Sequence, residues 1–229
     1  MILTGVLANA GAVLLGGIAG VSLRQGFPER LNKVLMQGLG LCVLYVGISG
    51  TLAGKQVLVT VLSIVLGAAL GEWLDLDRWL NRLGDFLQSR FSTGPSRGSF
   101  AEGFINATLF ACVGAMAIVG SLQSGLNGNH ETLLTKALID GVVMAVMAST
   151  LGIGVCLAAV PVFLYESFLT LSARAVAGYL TTPVINEISC VGSLLIVAIA
   201  LNMLQLTRIK VANLIPAAIM PVFLFMLFP

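Results

Sequence analysis

The chain has 229 residues, of which 58% are hydrophobic and 10% charged, with a formal net charge of +2. Soluble domains carry about 25% charged residues, so this composition excludes a soluble globule and predicts an all-α, polytopic transmembrane helical bundle. At about 20 residues per span, the chain accommodates seven or eight spans in a single transmembrane domain, 1–229. The lipid bilayer is the expected partner, and the absence of aromatic–basic clusters argues against nucleic acid.

The first predicted span, 1–23, lacks the basic start of a cleaved signal peptide. Three basic residues follow it, which by the positive-inside rule places its C-terminal end in the cytoplasm. They are Arg24, Arg30 and Lys33. Small residues recur every four positions, at Ala8, Ala12, Gly16 and Gly20, a spacing that lets helices pack closely within the chain or in a homodimer. Asn9, near mid-span, is interpreted as an interhelical hydrogen-bond partner, with a ligand role as the alternative.

Two further spans, 34–52 and 56–74, form a predicted hairpin, and a polar segment follows. Residues 75–90 have leucines and Trp79 at helical spacing among charged residues, a pattern typical of an amphipathic helix at a membrane surface. Residues 92–99 read as a linker. We therefore expect 75–99 to form a cytoplasmic amphipathic helix and linker.

The next two predicted spans, 100–122 and 134–160, flank a loop in which His130 is expected to be solvated. Lys136 and Asp140 are four residues apart and share a helical face. One interpretation is an ion pair at the interface, with Lys136 snorkelling. The other makes Asp140 an inward-facing cation or proton site that meets Glu187 or Asn106, because ionisable groups within spans are typically functional. The nearby lysine and loop indicate a shallower position for Asp140 than its apolar surroundings first suggest, and the sequence leaves open whether it is deep or interfacial.

The segment 161–180 has two interpretations. Glu166, Thr170 and Arg174 share one helical face, so the segment either lies at the interface or spans with that face inward. The positive-inside rule favours spanning, which gives eight spans and an external C-terminus. The last two predicted spans are 184–204 and 211–228. Glu187 stands near the start of the first of them. Asn213 and Pro216 interrupt the second, which predicts a kink or a broken helix.

Three apolar runs resemble one another and predict internally repeated helical hairpins. They are Gly40–Gly47, Gly114–Gly120 and Gly192–Ala198. With eight spans, the last hairpin is inverted relative to the first two, an arrangement typical of transporters. Because Gly114 and Gly120 belong to the repeated pattern, their first expected role is in backbone packing, as is that of Pro216.

Several longer strings resemble the YdfK/YqgA family of bacterial inner-membrane proteins of unknown function, over nearly the whole chain. They are Cys112–Gln123, Lys136–Gly141, Ser149–Val155, Gly192–Val197 and Val211–Ala217. The chain departs from the family pattern at Ser124, where the family tends to have an acid, and at Glu166-Ser167, where it has Gln-Gly. The resemblance implies a multi-pass protein of the bacterial inner membrane and no established activity.

The sequence contains no catalytic or nucleotide-binding signature of the common enzyme classes, so we expect no enzyme and no cofactor. Its four cysteines lie singly in apolar runs, which gives no support for a metal site. We predict a transporter or channel for an ion or small solute; the alternative is a membrane-embedded binding, sensory or assembly protein. The candidate ion-binding residues are Asp140, Glu187, Asn106 and Lys136. Secondary candidates are Asn9, Glu166, Arg174, Asn202 and Asn213.

Overall fold

The computed structural model describes residues 2–24, 29–80, 82, 86, 97–112 and 114–227, and all the regular elements among them are helical. The first six helices are α1 (Thr4–Arg24), α2 (Glu29–Thr51), α3 (Val57–Trp73), α4 (Arg97–Cys112), α5 (Ala115–Asn127) and α6 (Glu131–Leu151). The others are α7 (Gly154–Leu157), α8 (Ala159–Leu171), α9 (Ala173–Val176), α10 (Thr182–Met203), a 3-10 helix (Val211–Ala218) and α11 (Met220–Leu227).

Within the described part of the chain, five stretches are long and apolar enough to cross a membrane, and a sixth is added if the bent pair α4–α5 counts as one span. The five are Thr4–Leu23, Lys33–Thr51, Glu131–Leu151, Gly154–Leu171 and Thr182–Met203. Two shorter apolar helical segments are Val57–Trp73 and Val211–Leu227. The helical membrane-protein class expected from composition is thereby confirmed.

Two predicted spans differ from the helices observed. The predicted span 100–122 is two helices, α4 and α5, that meet at an angle of 57°. The predicted span 134–160 was wrong, because α6 ends at Leu151 and the chain turns at Gly152, whose φ of 84° is a left-handed conformation that favours glycine. The chain then returns through α7 and α8, so residues 154–171 form a separate candidate span.

The first helix lies beside α6 and runs in the same direction. Gly5 approaches Leu133 near the start of both helices, and Gly20 approaches Ala145 further along. A Cβ atom on Gly16 would lie 2.2 Å from the Gly141 carbonyl oxygen. The predicted small-residue stripe of α1 thus packs against α6 within the chain, at a distance that only glycine permits.

The hairpin α2–α3 packs antiparallel to the last two apolar segments. Gly40 of α2 contacts Leu204 after α10, whereas Gly54 contacts Cys190 near the start of α10. Gly67 and Gly71 of α3 approach Ala217 and Asn213 in reverse order. The main hydrophobic core includes residues of α2, α4, α6 and α10, among them Val43, Leu109, Met144, Met147 and Leu195.

The chain has a basic end, which we define by five exposed basic residues. They are Arg30, Lys33, Arg78, Arg208 and Lys210. Exposed basic residues at the opposite end, here called the far end, include Lys55 and Arg174. Of the predicted surface helix and linker at 75–99, residues 76–80, 82, 86 and 97–99 are helical, and the remaining residues after Asp75 lie outside the described part of the chain.

Candidate functional site: a buried polar centre

Four polar side chains from three helices meet in the interior and form what we call the polar centre: Asn9, Lys136, Asp140 and Glu166. Each is buried, with at most 4% of its surface exposed. The Lys136 ammonium contacts Asp140 Oδ2 and lies 3.8 Å from Glu166 Oε1. Asn9 Nδ2 donates to the same Glu166 oxygen at 2.7 Å. Lys136 therefore stands between two carboxylates, one on its own helix and one on α8.

The local sequence explains how these side chains come together. Lys136 and Asp140 are one turn apart on α6, so they project from the same face. The glycine contacts between α1 and α6 bring Asn9 beside that face. The turn at Gly152 sends the chain back, so that Glu166 of α8 enters the same space.

The charges of the polar centre do not balance when both acids are ionised. Two carboxylates then face one ammonium, and the amide of Asn9 contributes no formal charge. Asn9 Oδ1 and Glu166 Oε2 are buried without a hydrogen-bond partner. A buried charge without compensation costs several kcal/mol, on the order of 3–5 when one partner of a pair is removed. One more positive charge or proton donor beside Glu166 would therefore balance the charges of the polar centre.

The position of Asp140 along its helix differs from the expectation. Asp140 is nine residues after Glu131, the first residue of the 21-residue helix α6, and so lies next to the middle of the helix. The predicted span 134–160 placed Asp140 near its start, whereas α6 begins at Glu131 and ends at Leu151, so that Asp140 is central along the helix.

Glu187, predicted to meet Asp140, lies elsewhere. Its Oε1 accepts hydrogen bonds from the backbone N–H groups of Lys55 and Gln56 at 2.6 and 2.8 Å, and its Oε2 accepts one from Thr60 Oγ1 at 3.0 Å. The carboxylate thus caps the start of α3, where unpaired N–H groups and the helix dipole favour an anion. Its hydrogen bonds hold the α2–α3 turn and do not reach the polar centre.

Asn106 lines a separate cleft at the basic end. This cleft, of about 140 Å³, is also lined by Asp77, Glu102 and Asn202. Asn202 holds the turn after α10 by donating to the Ile209 carbonyl at 2.7 Å and accepting from Thr207 Oγ1 at 2.7 Å. Asn106 is therefore not grouped with Asp140.

The remaining candidates have positions that suit packing and surface roles. Asn213 accepts a hydrogen bond from the Asp77 backbone N–H at 2.6 Å and donates to Glu72, so it fastens the 3-10 helix to the end of α3. Pro216 lies inside that 3-10 helix, so the predicted interruption is present. Arg174 is exposed, although Glu166 and Thr170 of the same predicted face are buried.

The two glycines singled out in the sequence also have distinct environments. Gly114 precedes α5 at the bend and has open space where a Cβ would be, while Gly120 packs against Leu133 of α6. Among the described residues, no group of three His, Cys, Asp or Glu side chains is placed to hold a metal ion.

The sequence ranked two members of the polar centre too low. Asn9 and Glu166 are 157 residues apart, and nothing in the local pattern of either residue signals the other. The available signal was weaker: each is a polar group within an apolar stretch, which in a membrane protein typically faces the bundle interior.

The chain is similar over most of its length to one protein family and to the two relatives described here. Residues 4–226 match the family described as "Protein of unknown function (DUF554)". The chain is 29% identical over 221 residues to "Uncharacterized membrane protein YdfK" of Bacillus subtilis, covering 95% of this chain and 93% of that protein. It is 28% identical over 219 residues to "Uncharacterized protein YqgA" of Escherichia coli, covering 94% and 93%. No solved structure matches.

Proposed function

Since the chain belongs to the DUF554 family of proteins of unknown function, we propose its function from geometry: it is a transporter or channel for a small cation, with the polar centre as the ion site. The observation that supports this proposal most strongly is the excess of buried carboxylates over buried ammonium groups in the polar centre. Asp140 and Glu166 share one ammonium, and Glu166 Oε2 has no hydrogen-bond partner. An ion or proton that entered would complete the charge balance.

The arrangement suggests how binding could be linked to a local movement. Lys136 contacts Asp140 and is 3.8 Å from Glu166, so a small side-chain displacement changes which acid it neutralises. A cation held by Glu166 and the Asn9 carbonyl oxygen would repel the ammonium toward Asp140. After release of the ion, the ammonium would again be shared between the two carboxylates.

The proposed topology has eight membrane crossings in the bacterial inner membrane. Six come from the long apolar stretches, with the bent pair α4–α5 taken as one crossing, and α3 and Val211–Leu227, each of 17 residues, add two at the lower limit for a span. From the directions in which the helices pack, the start of α1 and the end of α11 then lie at the far end. The basic end faces the cytoplasm by the positive-inside rule, because Lys55 and Arg174 are the exposed basic residues we identify at the far end.

The packing of the hairpins supports an inverted repeat within this topology. The segment α2–α3 and the segment formed by α10 and Val211–Leu227 pack against each other in opposite directions. Broken helices accompany them, at the α4–α5 bend and in the 3-10 helix at Pro216. Inverted repeats with interrupted helices are a common transporter architecture.

A second candidate is an assembly or sensory protein of the membrane that moves no solute. One observation favours it: the two described clefts, at the basic end, are lined by residues outside the polar centre. A closed polar centre would also serve to fix the arrangement of α1, α6 and α8.

Flux through purified protein distinguishes the two. The protein is reconstituted in liposomes, and potential-driven uptake of H⁺, Na⁺ and K⁺ is measured separately. We expect uptake of at least one cation, reduced at least tenfold in Asp140→Asn and unchanged in Glu131→Gln, an exposed acid of the same helix. Absence of uptake for all three cations would favour the second candidate, and unaltered uptake in Asp140→Asn would remove the polar centre as the ion site.

A further inference from the structure

Three buried hydroxyl groups lie on α5 and α8, on the side of the polar centre that leads toward the far end. We call this set the hydroxyl row, and its members are Thr170 of α8 and Ser121 and Ser124 of α5. All three residues are buried, with at most 2% exposed. Thr170 Oγ1 and Ser121 Oγ have no hydrogen-bond partner. Native proteins rarely leave buried hydroxyls unpaired, so each such group requires an explanation.

The helices α5 and α8 pack against each other at the level of these hydroxyls. A Cβ on Gly125 would lie 2.1 Å from the Thr170 carbonyl oxygen, so the two helices touch at this level. Thr170 is one turn beyond Glu166 on α8, and Ser121 is about one turn before Ser124 and Gly125 on α5. Thr170 is thus displaced from Glu166 by roughly 5 Å along α8, and the two serines lie within about one turn of each other along α5.

The row ends at His130, which is partly exposed in the short turn before α6. Ser124 Oγ donates to the Ile2 carbonyl oxygen at 2.9 Å and lies 2.8 Å from His130 Nδ1. A serine hydroxyl has one proton, so with both contacts made the imidazole Nδ1–H must donate to Ser124. In neutral His130, the other ring nitrogen, Nε2, is then the one that can accept a proton.

Resting on the proposed function, we propose that the ion is a proton and that the hydroxyl row, completed by water, carries it between His130 and the carboxylates of the polar centre. Water bound between the unpaired hydroxyls would satisfy them, as buried water commonly does. Hydroxyls and water each donate and accept, so they can pass a proton on, which the apolar residues around them cannot do.

Protons are conserved at each step of this path. A proton taken up at His130 Nε2 is matched by release of the Nδ1 proton to Ser124 Oγ. The original Ser124 proton turns away from the Ile2 carbonyl and passes to water beside Ser121 and Thr170. The final acceptor is Glu166 Oε2, the oxygen without a partner, and the protonated acid no longer competes with Asp140 for Lys136.

The test measures acidification of liposomes that contain a pH-sensitive dye, driven by a potassium diffusion potential in sodium-free buffer. Wild-type protein should acidify the interior. The double variant Ser121→Ala with Thr170→Val should do so at least tenfold more slowly. Thr170→Ser, which keeps the hydroxyl, should remain within twofold of wild type. Ser63→Ala is the matched control, because Ser63 of α3 is another fully buried serine without a partner but lies outside the row.

A surface variant keeps the proposal testable if the double variant does not fold. His130→Gln retains a hydrogen-bonding side chain next to Ser124 but cannot exchange protons at two nitrogens, and we expect it to slow acidification several-fold. Uptake of Na⁺ or K⁺ without protons would overturn the inference and leave the proposed function standing. Equal proton uptake in wild type and the double variant, or in wild type and His130→Gln, would overturn the path. No uptake of any cation would overturn the proposed function itself.

Discussion

Lys136 is the residue on which the charge balance of the interior depends. It contacts Asp140 and lies within 4 Å of Glu166, and all three side chains are shielded from solvent. A lysine at this position does more than neutralise one acid, because its removal leaves two buried carboxylates with only the Asn9 amide between them. The contribution of Lys136 to the free energy of unfolding can therefore be measured independently of any transport activity.

We predict that Lys136→Met destabilises the protein by about 3–5 kcal/mol, the cost typical of removing one partner from a buried ion pair. The double variant Lys136→Met with Asp140→Asn should recover part of that loss, because one uncompensated charge is removed with the lysine. The measurement is chemical unfolding in detergent micelles. Lys55→Met is the control, since Lys55 is exposed and uses only its backbone N–H in the contact with Glu187. A Lys136→Met variant as stable as the control would show that the carboxylates do not depend on it.

At the scale of the elements, the contact between α1 and α6 determines where the polar centre forms. Gly16 and Gly20 face backbone carbonyl oxygens of α6 so closely that a Cβ would lie about 2 Å away, at 2.2 and 2.0 Å. By contrast, Gly11 has nothing within 4 Å of its Cβ position. The helix α1 thus contains glycines whose close contact with α6 excludes a Cβ atom, and one glycine, Gly11, at which a Cβ atom would meet nothing.

We expect Gly16→Ala to lower the unfolding free energy by about 1–3 kcal/mol, the usual cost of overpacking, because backbone atoms of α6 would have to move. Gly11→Ala should be neutral or slightly stabilising, since alanine favours helix over glycine. Thermal unfolding followed by size-exclusion chromatography compares the two directly. Equal melting temperatures for the two variants would argue against the close contact of α1 with α6.

The sequence predicted the helical class and most of the long helices, because the length of an apolar segment is enough to predict a membrane-spanning helix. It did not predict the breaks within two of the predicted spans. Glycine-rich apolar runs look continuous by hydropathy, yet Gly152 turns the chain and the α4–α5 pair bends by 57°. Such breaks depend on what packs against the segment, which local composition does not contain.

The membership of the candidate site was predictable only in part. Lys136 and Asp140 lie one turn apart, so their pairing follows from helical periodicity. Asn9 and Glu166 join them through contacts between α1, α6 and α8 across 157 residues of chain. Glu187 looked like a site residue because it is an acid in an apolar stretch, but its hydrogen bonds cap α3. Distinguishing a cap from a site requires knowing which helix end lies opposite the acid.

For the whole molecule, the proposed eight-crossing topology assigns opposite faces of the membrane to the basic end and the far end. Lys55 and Arg208 are both exposed and lie at these two ends. A membrane-impermeant thiol reagent added to intact cells should label Lys55→Cys, in a background without the native cysteines. It should label Arg208→Cys only after the membrane is permeabilised. Labelling of both from outside, or of Arg208→Cys alone, would contradict the orientation.

The polar centre also has consequences at this scale, because its three helices belong to distant parts of the chain. If it is the ion site, its two acids are required for charge movement, while acids elsewhere on the same helices are dispensable. The hairpins around it would then form the scaffold against which the site opens to either side.

The most direct measurement is the charge displaced when a cation gradient is imposed on proteoliposomes adsorbed to a solid-supported membrane. Wild type and Glu131→Gln should give matching currents. Asp140→Asn and Glu166→Gln should each reduce the current at least tenfold while eluting as folded protein. Undiminished currents in both of these variants would contradict the assignment of ion binding to the polar centre.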